Sequence, residues 1–83
     1  MLRRMDALMC LRAGATIDET RPLLRRHHVR AVPMHPGTQD RSLALWFALS
    51  GPDEASLQAA VQALQVHPAV DAAMLKPAGE APG

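Results

Sequence analysis

Eighty-three residues with nine basic and eight acidic side chains, a formal net charge of +1, make one small domain without a strong electrostatic bias. A chain of this length buries only roughly 60–65% of its unfolded surface. Aromatics are 2% of it and five Met pad the apolar fraction, so the core is short of large anchors and self-association is the expected remedy. The lone Cys10 rules out an internal disulfide and fits a reducing compartment. Met-Leu-Arg-Arg at the start, with Asp6 and Arg12 close behind, leaves no room for an apolar leader or a spanning segment. The expectation is a cytoplasmic, soluble protein that does not enter the membrane.

In chain order, residues 5–12 read as a first strand. Met5, Ala7, Met9 and Leu11 fall on one face, and Leu8 and Cys10 make the other apolar at its middle. Ala13-Gly14-Ala15 breaks it. Thr16-Ile17-Asp18-Glu19 matches a capping box, yet a helix begun there would place Pro22 in its second turn, at a cost of about 3 kcal/mol. A start at Glu19 or Thr20 is preferred, with Thr16–Asp18 as a preceding turn. This helix is expected to reach about His28 and to bury Leu23, Leu24 and one of His27 and His28. Val29–Met34 then reads as a strand whose Pro33 cannot donate to a ladder and so belongs on an edge.

His35–Arg41, with Pro36-Gly37 and Asp40 as turn formers, joins it to the run Ser42–Ser50 in a hairpin. That run is the longest apolar stretch and holds the only Trp and the only Phe. With period two, Leu43, Leu45, Phe47 and Leu49 share one face and Ala44, Trp46 and Ala48 the other, which is the pattern of an inner strand covered on both sides. Pro52 in the first turn, with Asp53 and Glu54 against the dipole, opens a second helix whose buried stripe is Leu57, Ala60, Val61 and Leu64. His67-Pro68 ends it. Val70–Leu75 is a last strand, and residues 76–83, rich in Pro and Gly, are expected to be a disordered tail after a single domain over 1–75.

The order β-α-β-β-α-β points to an α+β, ferredoxin-like sandwich: an antiparallel sheet of strand order 4-1-3-2 with both helices on one face. That order puts the third strand inside and the second on an edge. The two-sided apolar run and Pro33 suggest the same placements independently.

No chemistry is specified by this chain. His27 and His28 diverge by about 100° on a helix, and His35 and His67 stand at no ligand spacing, so no metal is expected. Cys10 lies among apolar neighbours without a base and reads as a small hydrophobe. Asp18/Glu19 and Asp53/Glu54 sit at helix starts, and Gly14 stands alone, without a phosphate loop. Arg21, Arg25, Arg26 and Arg30, beside His27 and His28, cluster as a nucleic-acid patch would. No aromatics interleave with them, and a solvated helix face is the preferred reading. Neither catalytic residues nor cofactors are expected. With the Leu face on the helices, Trp46, Ala44, Ala48, Leu8 and Cys10 would form an apolar patch on the open sheet face, of the kind that marks an interface.

The chain resembles stand-alone ACT-type domains, in particular the short regulatory subunits of acetolactate synthase. The resemblance spans residues 8–75: an arginine-bearing first helix, then Val29–Met34, Leu43–Ser50, Asp53–Leu64 and Val70–Leu75. It implies a non-catalytic homodimer that modulates a larger enzyme and binds an amino acid at Gly14, Ala15 and Thr16. The family's Asp-x-Pro-Gly loop is replaced here by Ala13-Gly14-Ala15-Thr16. The strand-helix-strand pattern of Leu43–Leu75 also resembles the cytoplasmic maturation chaperone of periplasmic nitrate reductase, which implies a twin-arginine signal peptide as partner. His67-Pro68-Ala69-Val70 is similar to a phrase in propeptide inhibitors of subtilisin-like proteases.

Overall fold

The computed structural model describes residues 5–77. In order, it contains β1 (Met5–Leu11), a 3-10 turn (Ile17–Thr20), α1 (Arg21–Arg26), β2 (Arg30–Pro33), α2 (Arg41–Ala44), β3 (Trp46–Ser50), α3 (Glu54–Gln65) and β4 (Val70–Pro77). The four strands form one antiparallel sheet in the order β2-β3-β1-β4. Read from the other edge this is 4-1-3-2, so the α+β arrangement is compatible with a ferredoxin-like sandwich.

Alternation along the strands divides the sheet cleanly. Ala7, Met9 and Leu11 of β1, Phe47 and Leu49 of β3, and Val70 and Ala73 of β4 point to one side. There they join Leu24 of α1 and Leu57, Ala60, Val61 and Leu64 of α3 in a single core. The four-residue stripe of α3 is buried as its spacing predicts. At the helix start the Asp53 carboxylate accepts from Ser56 N–H at 2.7 Å. At its end Gln65 Nε2 donates to the Ala73 carbonyl at 2.9 Å, tying α3 to β4.

Several expected boundaries move. The run Ser42–Ser50 is not one strand: Arg41–Ala44 is a helical turn and β3 begins at Trp46. The cause is Asp40, whose carboxylate accepts from Ser42 and Leu43 N–H at 2.8 and 3.3 Å and so caps the turn. Leu43 is consequently 39% exposed instead of buried, while Leu45 still packs against the core. The capping-box residues serve the 3-10 turn, where Glu19 accepts from Thr16 N–H at 2.8 Å, and α1 starts afterwards with Pro22 in its first turn.

That helix stops at Arg26, short of His28, because His28 adopts φ 58° and turns the chain into β2. β2 is shorter than Val29–Met34, although Val29 is buried beside it. Pro52 precedes the Asp53 cap instead of lying inside the first turn of α3. β4 runs two residues past Leu75, to Pro77, so residues 76–77 of the expected tail belong to the sheet, and the rest of it, residues 78–83, lies outside those described.

Pro33 does lie on an edge strand. Met34 N–H donates to the Trp46 carbonyl at 3.1 Å. By the alternation of an antiparallel ladder, Pro33 then presents its missing donor to the free edge, where the loss is harmless.

Candidate functional site, the open face of the sheet

On the side of the sheet away from the helices two adjacent rows are apolar, and the next row carries Arg30 and Ser50. Val32 of β2 faces Ala48 of β3, Ala48 faces Leu8 of β1, and Leu8 faces Met74 of β4. In the adjacent row Trp46 faces Cys10, and Cys10 faces Ala72. Among the described residues no element covers these rows: Val32 is 51% and Met74 43% exposed, and Trp46, Ala48, Leu8 and Cys10 are half-buried.

Of the residues expected on this face, Trp46, Ala48, Leu8 and Cys10 are there together. Ala44 is not: it ends α2, exposed and outside the sheet. Val32 and Met74, the most exposed members, were absent from the sequence reading. Their signal was available, because propagating the alternation of β3 and β1 through the 4-1-3-2 order places them opposite Ala48 and Leu8.

At one end of this face lies a cavity of about 510 Å³ walled by Cys10, Arg12, Leu45, Trp46 and Asp71. An arginine and a carboxylate thus flank an indole and a leucine. Burial, and secondarily the Asp71 carboxylate, push the Cys10 thiol above its ordinary value. Its S–H donates to the Leu11 carbonyl at 3.5 Å. Both effects favour the protonated thiol, the less nucleophilic form of the side chain.

The loop expected to bind a ligand adjoins the cavity without lining it. Gly14 sits at φ 89° in the turn, a conformation suited to glycine, and Ala15 N–H donates to the Arg12 carbonyl at 2.9 Å. Thr16 N–H is taken by Glu19. These residues therefore shape the turn after Arg12, and it is Arg12 and Ala13 that reach the cavity wall.

The histidines stay apart. His67 Nδ1 accepts from Ala69 N–H at 3.0 Å and holds the turn into β4. Among the described residues no three of His, Cys, Asp and Glu converge as metal ligands would, and no helix is long and apolar enough to cross a membrane. Of the arginine cluster, Arg21 donates through Nε to Asp18 at 2.6 Å, whereas Arg25 and Arg30 are exposed without an ion pair among the described residues.

No family model, curated protein or solved structure matches this chain.

Proposed function

We propose that the chain is a small non-enzymatic regulatory module, of ferredoxin-like and ACT-like build, that pairs with a second copy through its open sheet face and modulates a larger cytoplasmic enzyme. One observation carries this reading. The row Val32–Ala48–Leu8–Met74 and the row Trp46–Cys10–Ala72 form adjoining apolar rows that no element among the described residues covers. A domain with so few large side chains in its core gains more from covering that surface than a large one would.

The reading includes a response to free amino acids. Arg12 and Asp71 offer opposite charges to a carboxylate and an ammonium group, and Trp46 and Leu45 offer an apolar wall. A peptide-holding role, as chaperone or inhibitor, would use the same face. Strand addition at β2 is opposed by Pro33, which leaves β4 as the edge for that mode.

Trp46, the only Trp, supplies the test. Diluting the protein through dimer dissociation shifts its emission to the red, and titrating branched-chain amino acids gives saturable heat that Arg12→Gln weakens. Emission that ignores concentration contradicts the pairing. Absence of heat with every amino acid, for the protein alone and for its complex with a co-purified enzyme, removes the sensing role and leaves the pairing standing.

A further inference from the structure

A second cavity, of about 370 Å³, opens on the opposite side of the molecule from the apolar face, between α1 and β2. Its floor is apolar: Leu24, Val29, Ala31 and Phe47 line it, and Phe47, at 9% exposure, is the least covered member of the core. Arg21 and Arg25 of α1 stand on its wall, Arg30 flanks it, and among the described residues no acidic side chain lines it. In a chain of net charge +1 this is a local concentration of positive charge over an oily floor.

The arginines are differently prepared. Asp18 takes only Nε of Arg21, which braces the side chain and leaves its terminal amino groups without a hydrogen bond among the described residues. Arg25 has no partner among them at all. A braced guanidinium with free terminal N–H groups is pre-arranged for bidentate contact with a planar or tetrahedral oxyanion. The left-handed turn at His28 brings β2 back beside α1, and so sets the arginines of the helix over the floor supplied by the strand.

We propose that this groove binds a small organic anion, a carboxylate or phosphate group borne on an apolar or aromatic body, with the anion on Arg21 and Arg25 and the body against Phe47, Leu24 and Ala31. Its volume lies near the lower end of the range of about 300–1,000 Å³ that ligand sites occupy, which suits a single ring and not a nucleotide. A nucleic-acid strand is the less suited occupant, because the one aromatic side chain among the lining residues, Phe47, is buried and offers no platform for successive bases. The proposal stands apart from the regulatory reading, since none of Arg21, Arg25, Leu24, Ala31 and Phe47 belongs to the open face.

The test is amide-resolved NMR titration of the full chain with benzoate, phenyl phosphate, benzyl alcohol, inorganic phosphate and a short single-stranded oligonucleotide. Benzoate or phenyl phosphate is expected to shift amides within 21–25 and 29–33 saturably, and whichever of the two binds tighter names the anionic group. Arg25→Gln and Arg21→Gln, both exposed positions that the fold tolerates, are each expected to weaken that binding by roughly tenfold, the loss of one charge-assisted contact. Three results overturn the proposal: no saturable shift from either aromatic anion, equal shifts from benzyl alcohol, or inorganic phosphate or the oligonucleotide binding as well as the aromatic anions do.

Discussion

The two faces of the sheet are made from the same strands and the same kinds of residue, and they end in opposite environments. On β3, Phe47 and Leu49 are buried while Trp46 and Ala48, their immediate neighbours, face away from the helices. On β1, Ala7 and Met9 are fully covered while Leu8 and Cys10 are half-exposed. What differs is the cover. α1 and α3 close one face with Leu24, Leu57, Ala60, Val61 and Leu64, and no element among the described residues closes the other. An apolar residue on the inner face is accounted for by this chain alone. An apolar residue on the outer face needs something else to account for it.

The comparison is sharpest in paired substitutions. Leu49→Ala removes a side chain that is fully enclosed by the core and is expected to lower unfolding free energy by about 2–5 kcal/mol. Trp46→Ala, measured on protein dilute enough to be monomeric, is expected to cost about 1 kcal/mol or less, although it deletes a larger side chain. Urea denaturation of both variants checks this, and equal losses would break the distinction between the faces.

Thr20 tests how the inner face is sealed beside α1. It is the one buried polar residue among those described, and its hydroxyl donates to the Ile17 carbonyl at 2.8 Å. Thr20→Val keeps the shape and drops the bond, so a loss of about 1 kcal/mol is expected. Thr20→Ser, which keeps the bond, should retain part of that energy in the same measurement.

His28→Gly works in the other direction. A residue with a Cβ at φ 58° is strained where glycine is not, and the side chain is exposed. A gain of about 0.5–1 kcal/mol in chemical denaturation is expected. A loss would mean that the imidazole has a structural role at the turn from α1 into β2.

The smallest effect belongs to Asp53, the cap of α3. Hydrogen bonds from Ser56, backbone first and then side chain, hold its carboxyl below the ordinary value of 3.8, with a lesser contribution from Ala55 N–H. A carboxyl depressed in the folded state adds stability at pH values above its unfolded pKa, and that stability is lost as pH falls through the folded value. Asp53→Ala should therefore lower Tm at neutral pH, by an amount that shrinks as pH falls through the folded pKa. Asp53→Asn, which can still cap, should fall between the parent and Asp53→Ala at neutral pH.

Much of the fold was legible because its signals were redundant. The stripe Leu57–Ala60–Val61–Leu64, the edge proline and the alternation of β1 each pointed to one arrangement. The misplaced start of β3 has a specific origin: Ser42-Leu43-Ala44-Leu45 satisfies a two-residue period as readily as a helical turn. What decides it is the Asp40 carboxylate, capping the two amides that follow. The end of α1 was misjudged for a related reason, since a left-handed His28 has no signature comparable to a glycine. The outer face was only half-legible. Trp46, Ala48, Leu8 and Cys10 follow from alternation within strands, whereas Val32 and Met74 require the cross-strand register. The groove under Arg21 and Arg25 was hidden further, because it joins residues of α1 and β2 that only the left-handed turn brings side by side.

Sedimentation velocity of Trp46→Glu against the parent tests the central claim most directly. A carboxylate placed on an apolar face that a second copy covers separates the copies without touching the core, so the variant is expected to be a folded monomer at concentrations where the parent is a dimer. A parent that is monomeric at every concentration, with a Trp46→Glu variant that unfolds, would contradict the account: Trp46 would then serve the fold itself and not an interface.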